Sequence, residues 1–311
     1  MSVVIATYNR LAYLPQSIDS MLGQSWSDAE IIIVDDASTD GTELLLRQRY
    51  GDRLVYLRHP VRLGPSEARN TGIAAAGGEL IAFHDSDDVA YPRRLEMQET
   101  AFSADPELVI VGGQVDYYDV DLKEIIDSPK MLAAGDLEIR LNGLFLQPVS
   151  FGSCMMKAQP IRRHGLRLNP LYPAAEDYDF VLQLLRHGRA RNLTEPTIKY
   201  RCHNDQQSSL VQPQMQDIQK RISDARLAEI GIEVPAEARK VLEFIVTNPQ
   251  ATFKDFGVEP TDQNILMLLV QSYRMLLQVL EALARSEDPR PGELAALRQC
   301  LRERCLAAIA V

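Results

Sequence analysis

Two short apolar runs in this chain end abruptly in aspartates: Ile31 to Val34 runs into Asp35-Asp36, and Leu80 to Phe83 runs through His84 into Asp85-Ser86-Asp87-Asp88. Short apolar runs bounded by turn signals are buried strands, and carboxylates cannot follow them into a packed core unpaired. The acids must sit where the strands emerge. In an open α/β sheet the ligand crevice lies outside the carboxyl ends of the strands, so this pattern delivers two acid clusters to one crevice. Clustered hard oxygen ligands there suit Mg²⁺ or Mn²⁺ holding phosphates. If the strand pitch persists past Phe83, Asp85 and Asp87 point to the same side. An isolated Asp-Ser-Asp-Asp also reads as a solvated turn; the second acid-ended strand weighs against that reading.

The surrounding pattern repeats. Ser2 to Ala6 is a β-branched run followed by the loop Thr7-Tyr8-Asn9-Arg10, and Leu14, Ile18, Met21 and Leu22 recur at helical spacing. A helix is expected over Leu44 to Tyr50, a third strand over Leu54 to Leu57, and a helix opening at Pro65 and closing at Gly77-Gly78. After the acid-ended fourth strand come a helix over Pro92 to Phe102 and a strand over Leu108 to Gly112. Alternation of this kind predicts a doubly wound, mostly parallel sheet flanked by helices. From Val115 to about Ser153 the period is lost, and a loop-rich substrate region is expected. A strand at Phe151 to Met156, a helix at Pro160 to Leu166, a helix from Glu176 and a closing strand at Thr197 to Arg201 follow, with His203 to Ser208 as a polar tail.

After about Leu210 helix signals dominate: Met215 to Ile230, Ala236 to Val246, Gln263 to Ala284 and Gly292 to Ala308. Leu266, Leu269, Tyr273, Leu276, Leu280 and Leu283 form a three-four seam that Leu294, Leu297 and Leu301 resume. The organisation read from this is a domain over 1–210, divided at about residue 112, and a helical extension over 211–311. That extension is a candidate for self-association or for docking a partner protein.

A net charge of −10 argues against broad nucleic-acid binding. Cys154, Cys202, Cys300 and Cys305 show neither zinc-site spacing nor a disulfide framework, which points to a reducing, cytoplasmic setting. Val3 to Ala6 is too short for a signal peptide, and no apolar stretch reaches the ~18 residues of a membrane span. The inner face of a membrane is a second placement.

Six pieces in order carry a resemblance: Val3 to Arg10, Ile33 to Thr42, Ala68-Arg69-Asn70-Thr-Gly72, Asp85-Ser86-Asp87-Asp88, Glu176-Asp177-Tyr-Asp179, and Tyr200-Arg201-Cys-His203. Over residues 1 to about 210 the chain resembles family 2 glycosyltransferases of the GT-A fold. That resemblance implies transfer, with inversion, of a sugar from a nucleotide diphosphate, a UDP-sugar first, to a glycan or lipid-linked glycan acceptor in surface glycan synthesis. Thr7, Tyr8, Asn9, Arg10 and Ser86 fall at nucleotide-sugar positions. Asp36, or Asp35 beside it, matches the carboxylate that accepts a uracil-type imide proton, and Arg69 lies near phosphate. Asp87, with Asp85, matches the metal-binding DxD motif for Mg²⁺ or Mn²⁺, His203 approaches metal or pyrophosphate, and Asp177 is the general base, with Glu176 or Asp179 orienting it. No QxxRW element is present, and nothing familiar matches the helical tail.

The chemistry agrees. A departing nucleotide diphosphate gathers charge that a divalent ion offsets, and the attacking hydroxyl needs a carboxylate as general base. Each residue also has a plainer reading: Asp35-Asp36 as turn and helix cap, Glu176-Asp177 as complement to a helix N-terminus, Arg69 as a salt-bridge partner, His203 as a satisfied surface or core residue. The absence of a GxGxxG turn after the first strand sets aside dinucleotide oxidoreductases. A metal-dependent phosphohydrolase and a non-catalytic nucleotide-sugar-binding assembly module are the rival readings.

Overall fold

The computed structural model describes residues 1–127, 132–203, 212–247 and 263–309. These fall into two compact units: Met1–Ala134 with Val149–Gln216, and Gly135–Pro148 with Asp217–Val311.

The first unit is built on strands β1 (Ser2–Thr7), β2 (Glu30–Asp35), β3 (Val55–Arg58), β4 (Leu80–Phe83), β5 (Val89–Ala90), β6 (Leu108–Tyr118), β7 (Ile125–Asp127), β8 (Met155–Lys157) and β9 (Arg189–Arg201). They form one sheet in the order β3-β2-β1-β4-β8-β6-β9-β5, with β7 on β6. Strands β3, β2, β1 and β4 are mutually parallel, and β6 runs parallel to β9. The short β8 lies antiparallel between β4 and β6, and β5 is antiparallel to β9. The runs Val3 to Ile5 and Ile31 to Val34 are buried throughout because both faces of a parallel sheet are covered.

Helices α1 (Leu14–Leu22), α2 (Thr42–Arg49), α3 (Pro65–Ala75), α4 (Arg94–Ala104), α6 (Ala158–His164) and α7 (Glu176–Leu185) belong to this unit; α5 (Asp136–Asn142) belongs to the second. Gly72 shows why α3 lies where it does. A Cβ there would stand 2.3 Å from a Val4 methyl carbon, so only glycine lets the helix settle onto β1. That close approach carries Arg69, one turn earlier on α3, toward the strand ends.

The segment expected to be loop-rich differs from its description. β6 continues to Tyr118, β7 pairs with it, and Gly135–Pro148 contributes α5 to the helical unit. A single domain boundary near residue 210 therefore does not describe the chain. Phe151–Ser153 is a 3₁₀ turn, and the strand expected from Phe151 begins at Met155.

In the second unit α5 joins the helices Gln212–Glu229, Ala236–Thr247, Gln263–Glu287 and Glu293–Ile309. Leu137, Leu141, Leu144 and Phe145 share one core with Leu276, Leu280, Leu283, Leu297 and Leu301. The part of the three-four seam from Leu276 to Leu283 is thus covered within the unit, while the side chains of Leu266 and Leu269, and residues Asn204 to Leu210, lie outside those described. Arg140 bridges Asp136 and Glu287, and Arg304 pairs with Glu138.

Candidate active site

The loops after β1 and β2 are stitched together. The Asn9 amide N–H donates to Ser38 Oγ at 2.9 Å, and the Thr39 amide donates to Asn9 Oδ1 at 2.8 Å. Asn9 has φ 50°, a left-handed conformation that Asn tolerates better than most residues. Thr7 is buried at the end of β1, and its Oγ1 has no hydrogen-bond partner among the described residues. A buried hydroxyl left this way is costly unless a ligand or water meets it. The Arg62 guanidinium lies over the Tyr8 ring, 4.0 Å from its centroid.

Asp35 turns into the protein, where Oδ1 accepts from the Ser38 amide and Oδ2 from the Tyr56 hydroxyl at 2.7 Å. Burial, then this contact with Asp35, pushes the Tyr56 phenol well above its ordinary pKa. Asp36 braces the next loop: Oδ1 accepts from the Leu63 amide (2.8 Å) and lies 2.7 Å from His59 Nδ1, while Oδ2 accepts from the Gly64 amide (2.8 Å). Two lone pairs per oxygen leave one acceptor position on Asp36, at Oδ2.

β4 ends at Phe83 and the chain turns, so Asp85 and Asp87 do not keep a strand's common side; each meets different partners. Asp85 Oδ1 accepts from Arg69 Nη2 at 3.1 Å, and its backbone carbonyl accepts from Ser17 Oγ. Asp87 Oδ2 lies 3.4 Å from Arg10 Nε and 3.1 Å from His203 Nε2. Ser86 is buried between them. Asp88 is also buried; Oδ1 accepts the Arg201 amide, Oδ2 is unpartnered among the described residues, and burial followed by the charges of Asp85 and Asp87 raises its pKa well above the usual range.

Arg201 was not singled out from the sequence as a site residue, yet it secures this turn. Nε donates to the Asp87 carbonyl at 2.7 Å, the other nitrogens reach the Val120 carbonyl and Gln16, and the guanidinium lies over Tyr13. Tyr13 also packs against the His203 ring, 4.9 Å between centroids.

On the other side of the crevice α7 begins at Glu176. Arg69 Nη1 donates to Glu176 Oε1 at 3.2 Å, 107 residues away in sequence, so one guanidinium on α3 joins the loop after β4 to the start of α7. Burial acts to lower the Arg69 pKa, but Asp85, Glu176 and Asp177 outweigh it and hold the group above its ordinary value. Glu176 is buried, with Oε2 unpartnered among the described residues. Asp177 is half-buried, and its Oδ1 accepts from the Tyr178 amide at 2.7 Å. Its place in the first turn of α7 puts the carboxylate at the positive end of the helix. Asp179 turns along the helix to Gln183, and burial raises its pKa.

Two supporting residues have no signal in the sequence. A Cβ on Gly152 would stand 2.2 Å from Asp85 Oδ2, so a glycine is what lets that carboxylate lie against the 3₁₀ turn. Arg94 is fully buried behind β4, donating to the Phe83 carbonyl (2.6 Å) and contacting His84 Nδ1 (3.1 Å) and Gln98 Oε1 (3.2 Å). Burial lowers its pKa to about 10, which leaves it charged at neutral pH.

Among the described residues no three of His, Cys, Asp and Glu are grouped as a metal cage. Mg²⁺ ordinarily takes only one or two protein carboxylates together with substrate phosphates and water. Asp87, in contact with His203 and next to Asp88 with its unpartnered buried oxygen, fits such a shared site.

The family model described as glycosyl transferase family 2 matches residues 2–163. An uncharacterised glycosyltransferase of Haemophilus influenzae is 27% identical over 290 residues, covering 89% of this chain and 86% of the relative. The succinoglycan biosynthesis protein ExoO of Rhizobium meliloti is 29% identical over 210 residues, 65% of this chain and 60% of its own. Among solved structures, S. aureus TarS 1–349 in complex with UDP-GlcNAc superposes with a TM-score of 0.60 at 17% identity, covering 99% of this chain and 88% of that one. A likeness at that identity shows the GT-A fold.

Proposed function

This chain belongs to glycosyl transferase family 2 and is a glycosyltransferase, and from that premise we propose that it moves a sugar from UDP to an acceptor hydroxyl with inversion at the anomeric carbon, using Asp177 as general base. The observation that carries the reading is Arg69, which binds Asp85 and Glu176 at once and so keeps the acids of β4 and α7 on opposite sides of one cation.

In this reading Thr7 Oγ1 and Tyr8 frame the base, and the remaining acceptor position on Asp36 takes the imide proton. Asn9 shapes the loop, while Arg10 and Arg69 offset diphosphate charge. Asp85 and Ser86 would hold the ribose end of the donor, and Asp87 with His203 would hold Mg²⁺ or Mn²⁺ together with the donor's phosphates. The bound metal would stabilise the charge that grows on the departing diphosphate. Asp177 takes the acceptor's proton as the acceptor oxygen bonds to the anomeric carbon and the bond to the diphosphate breaks. Glu176 is tied to Arg69 and buried, which suits it to orient the base-bearing turn.

TarS has been crystallised with UDP-GlcNAc, which makes that the first donor to try. The relationship to a succinoglycan biosynthesis protein favours a glycan or lipid-linked glycan acceptor. UDP release is measured with UDP-GlcNAc and other UDP-sugars, with and without Mg²⁺ or Mn²⁺. Metal-dependent UDP formation, abolished in Asp177→Asn, supports the reading; neither UDP release nor a melting shift with any UDP-sugar overturns it.

A further inference from the structure

Tyr8 and Asp36, both placed at the base in the reading above, are held by one and the same loop. β2 and β3 run parallel with Asp35 opposite Arg58, and the His59 amide donates to the Asp35 carbonyl at 2.9 Å where β3 leaves the sheet. That register sets His59 beside Asp36 at the carboxyl ends of the two strands. Further along, the Leu63 and Gly64 amides close the loop onto the same carboxylate, and Arg62 lies over the Tyr8 ring.

His59 meets a different partner with each ring nitrogen. Nδ1 lies 2.7 Å from Asp36 Oδ1, and Nε2 lies 3.0 Å from the Thr71 hydroxyl on α3. A carboxylate oxygen only accepts, so Nδ1 carries the proton, and the Nε2 lone pair of a neutral ring takes the Thr71 hydroxyl proton. The imidazole cannot flip without losing both bonds. His59 and Asp36 are both buried, and a hydrogen bond to a carboxylate is of the stronger kind. The Leu63 amide and His59 fill Oδ1, while the Gly64 amide takes one of the two positions on Oδ2. Among the described residues nothing else meets Asp36, so one acceptor position is left, and the ring that fills Oδ1 decides which. The bonds by which Asp36 braces the loop also let the loop aim Asp36.

We propose that His59, held by Thr71, is a positioning residue for recognition of the base. The inference rests on the UDP-sugar reading above and adds no contact with the donor, since His59 acts through Asp36. With Oδ1 filled, the carboxylate is met at one point, by one N–H. Uracil brings its imide N3–H there. Cytosine brings an N3 lone pair beside its amine, and a site built to bond an N–H rejects a base that lacks it. Without His59 the buried carboxylate is short of a donor and gains a second acceptor position, so an amine serves it almost as well as an imide.

The test is calorimetric titration of the full chain with UDP and with CDP, with Mn²⁺ present throughout. The two nucleotides share ribose and diphosphate, so the ratio of their dissociation constants reads the base alone. The wild type should prefer UDP by about a hundredfold or more. His59→Leu should lower that preference by about tenfold, the size of one hydrogen bond to a charged group. His59→Asn, whose amide can donate where Nδ1 does, should restore most of it. Thr71→Val frees the ring to turn and should lower the preference by roughly threefold. Loosening of the loop alone would weaken both nucleotides equally, so an unchanged ratio in a folded His59→Leu protein overturns the proposal, as does an equal loss in His59→Leu and His59→Asn. If melting curves show that His59→Leu does not fold, Thr71→Val is read in its place, and an unchanged ratio there overturns the proposal too. Equal binding of UDP and CDP by the wild type overturns the proposal and leaves the transferase reading standing. Binding of neither, with no melting shift from any UDP-sugar, overturns the UDP-sugar reading and the proposal with it.

Discussion

Replacing Gly152 by alanine should damage donor binding although no catalytic group is touched. The glycine's φ lies outside the left-handed region, so alanine fits the backbone there and the whole effect is steric. The new Cβ would stand 2.2 Å from Asp85 Oδ2 and 2.9 Å from its Cγ, where ordinary contact begins near 3.4 Å. The carboxylate must retreat by about 1 Å, and Oδ1, held by Arg69 at 3.1 Å, moves with it. Overpacking of this kind costs about 1–3 kcal/mol. Asp85 is a third exposed and can yield toward water, so the lower half of that range applies. At 1.4 kcal/mol per decade, the donor dissociation constant should rise roughly five- to twenty-fivefold. Calorimetric titration of UDP-GlcNAc with Mn²⁺ reads this directly. Wild-type donor affinity in a folded Gly152→Ala protein would show that the Asp85 carboxylate position does not matter for the donor and would refute the argument.

Three further outcomes are expected. Asp87→Asn should weaken metal-dependent donor binding, whereas Asp177→Asn should leave donor affinity near normal and lower turnover by about a hundredfold or more, the size of general-base effects, read by parallel titration and UDP-release assays. Truncation after residue 216 should give insoluble protein: Leu137, Leu141, Leu144 and Phe145 remain in the chain but lose their core, exposing roughly 6–12 kcal/mol of buried apolar surface against a typical total stability of about 5–15 kcal/mol. A soluble, cooperatively melting truncation would contradict this. His84 is buried, and desolvation followed by Arg94 holds its pKa well below 6.5. The unfolded chain therefore binds that proton first, so its stabilising contribution is full above pH 6.5 and erodes as pH falls toward the depressed folded value. His84→Asn, which keeps an acceptor for Arg94, should flatten the melting temperature between about pH 7 and 5, and an unchanged slope would assign the acid sensitivity elsewhere.

The part of the fold legible in the sequence is the part whose period is unambiguous. β1, β2 and β4 are parallel and covered on both faces, which forces continuous apolar runs and throws the acids to their ends. The strands beyond β4 are harder to read. The antiparallel β8 has three residues, and β6, parallel to β9, passes Gly112-Gly113, where a Cβ would strike Asn192 and Thr197, so side-chain alternation fades where the strand is tightest. α5 was illegible for a different reason: its apolar residues face a core assembled from helices that begin only at Gln212 and later.

The candidate site divides in the same way. Which residues carry charge follows from the motifs, but how they are paired depends on contacts distant in sequence, which no local period encodes. Asp36 illustrates the difference: read as a base-binding carboxylate, it already accepts two backbone amides and contacts His59, so its first task is to hold the 59–64 loop. Arg69 illustrates it more strongly. As one residue of Ala-Arg-Asn-Thr-Gly it could serve a phosphate or a salt bridge, and the structure gives it two carboxylates from different elements. A phosphate arriving near Arg69 must compete with Asp85 and Glu176, and any weakening of the Glu176 contact leaves a buried carboxylate with neither oxygen partnered. That cost, of a few kcal/mol for a buried charge, favours a donor complex in which Arg69 keeps Glu176 and shifts only from Asp85. Donor binding and the placement of Asp177 would then be coupled through one guanidinium: Arg69→Lys, unable to reach both partners with a planar fork, should lower turnover more than it lowers donor affinity, and an equal loss in both would mean that Arg69 serves the diphosphate alone.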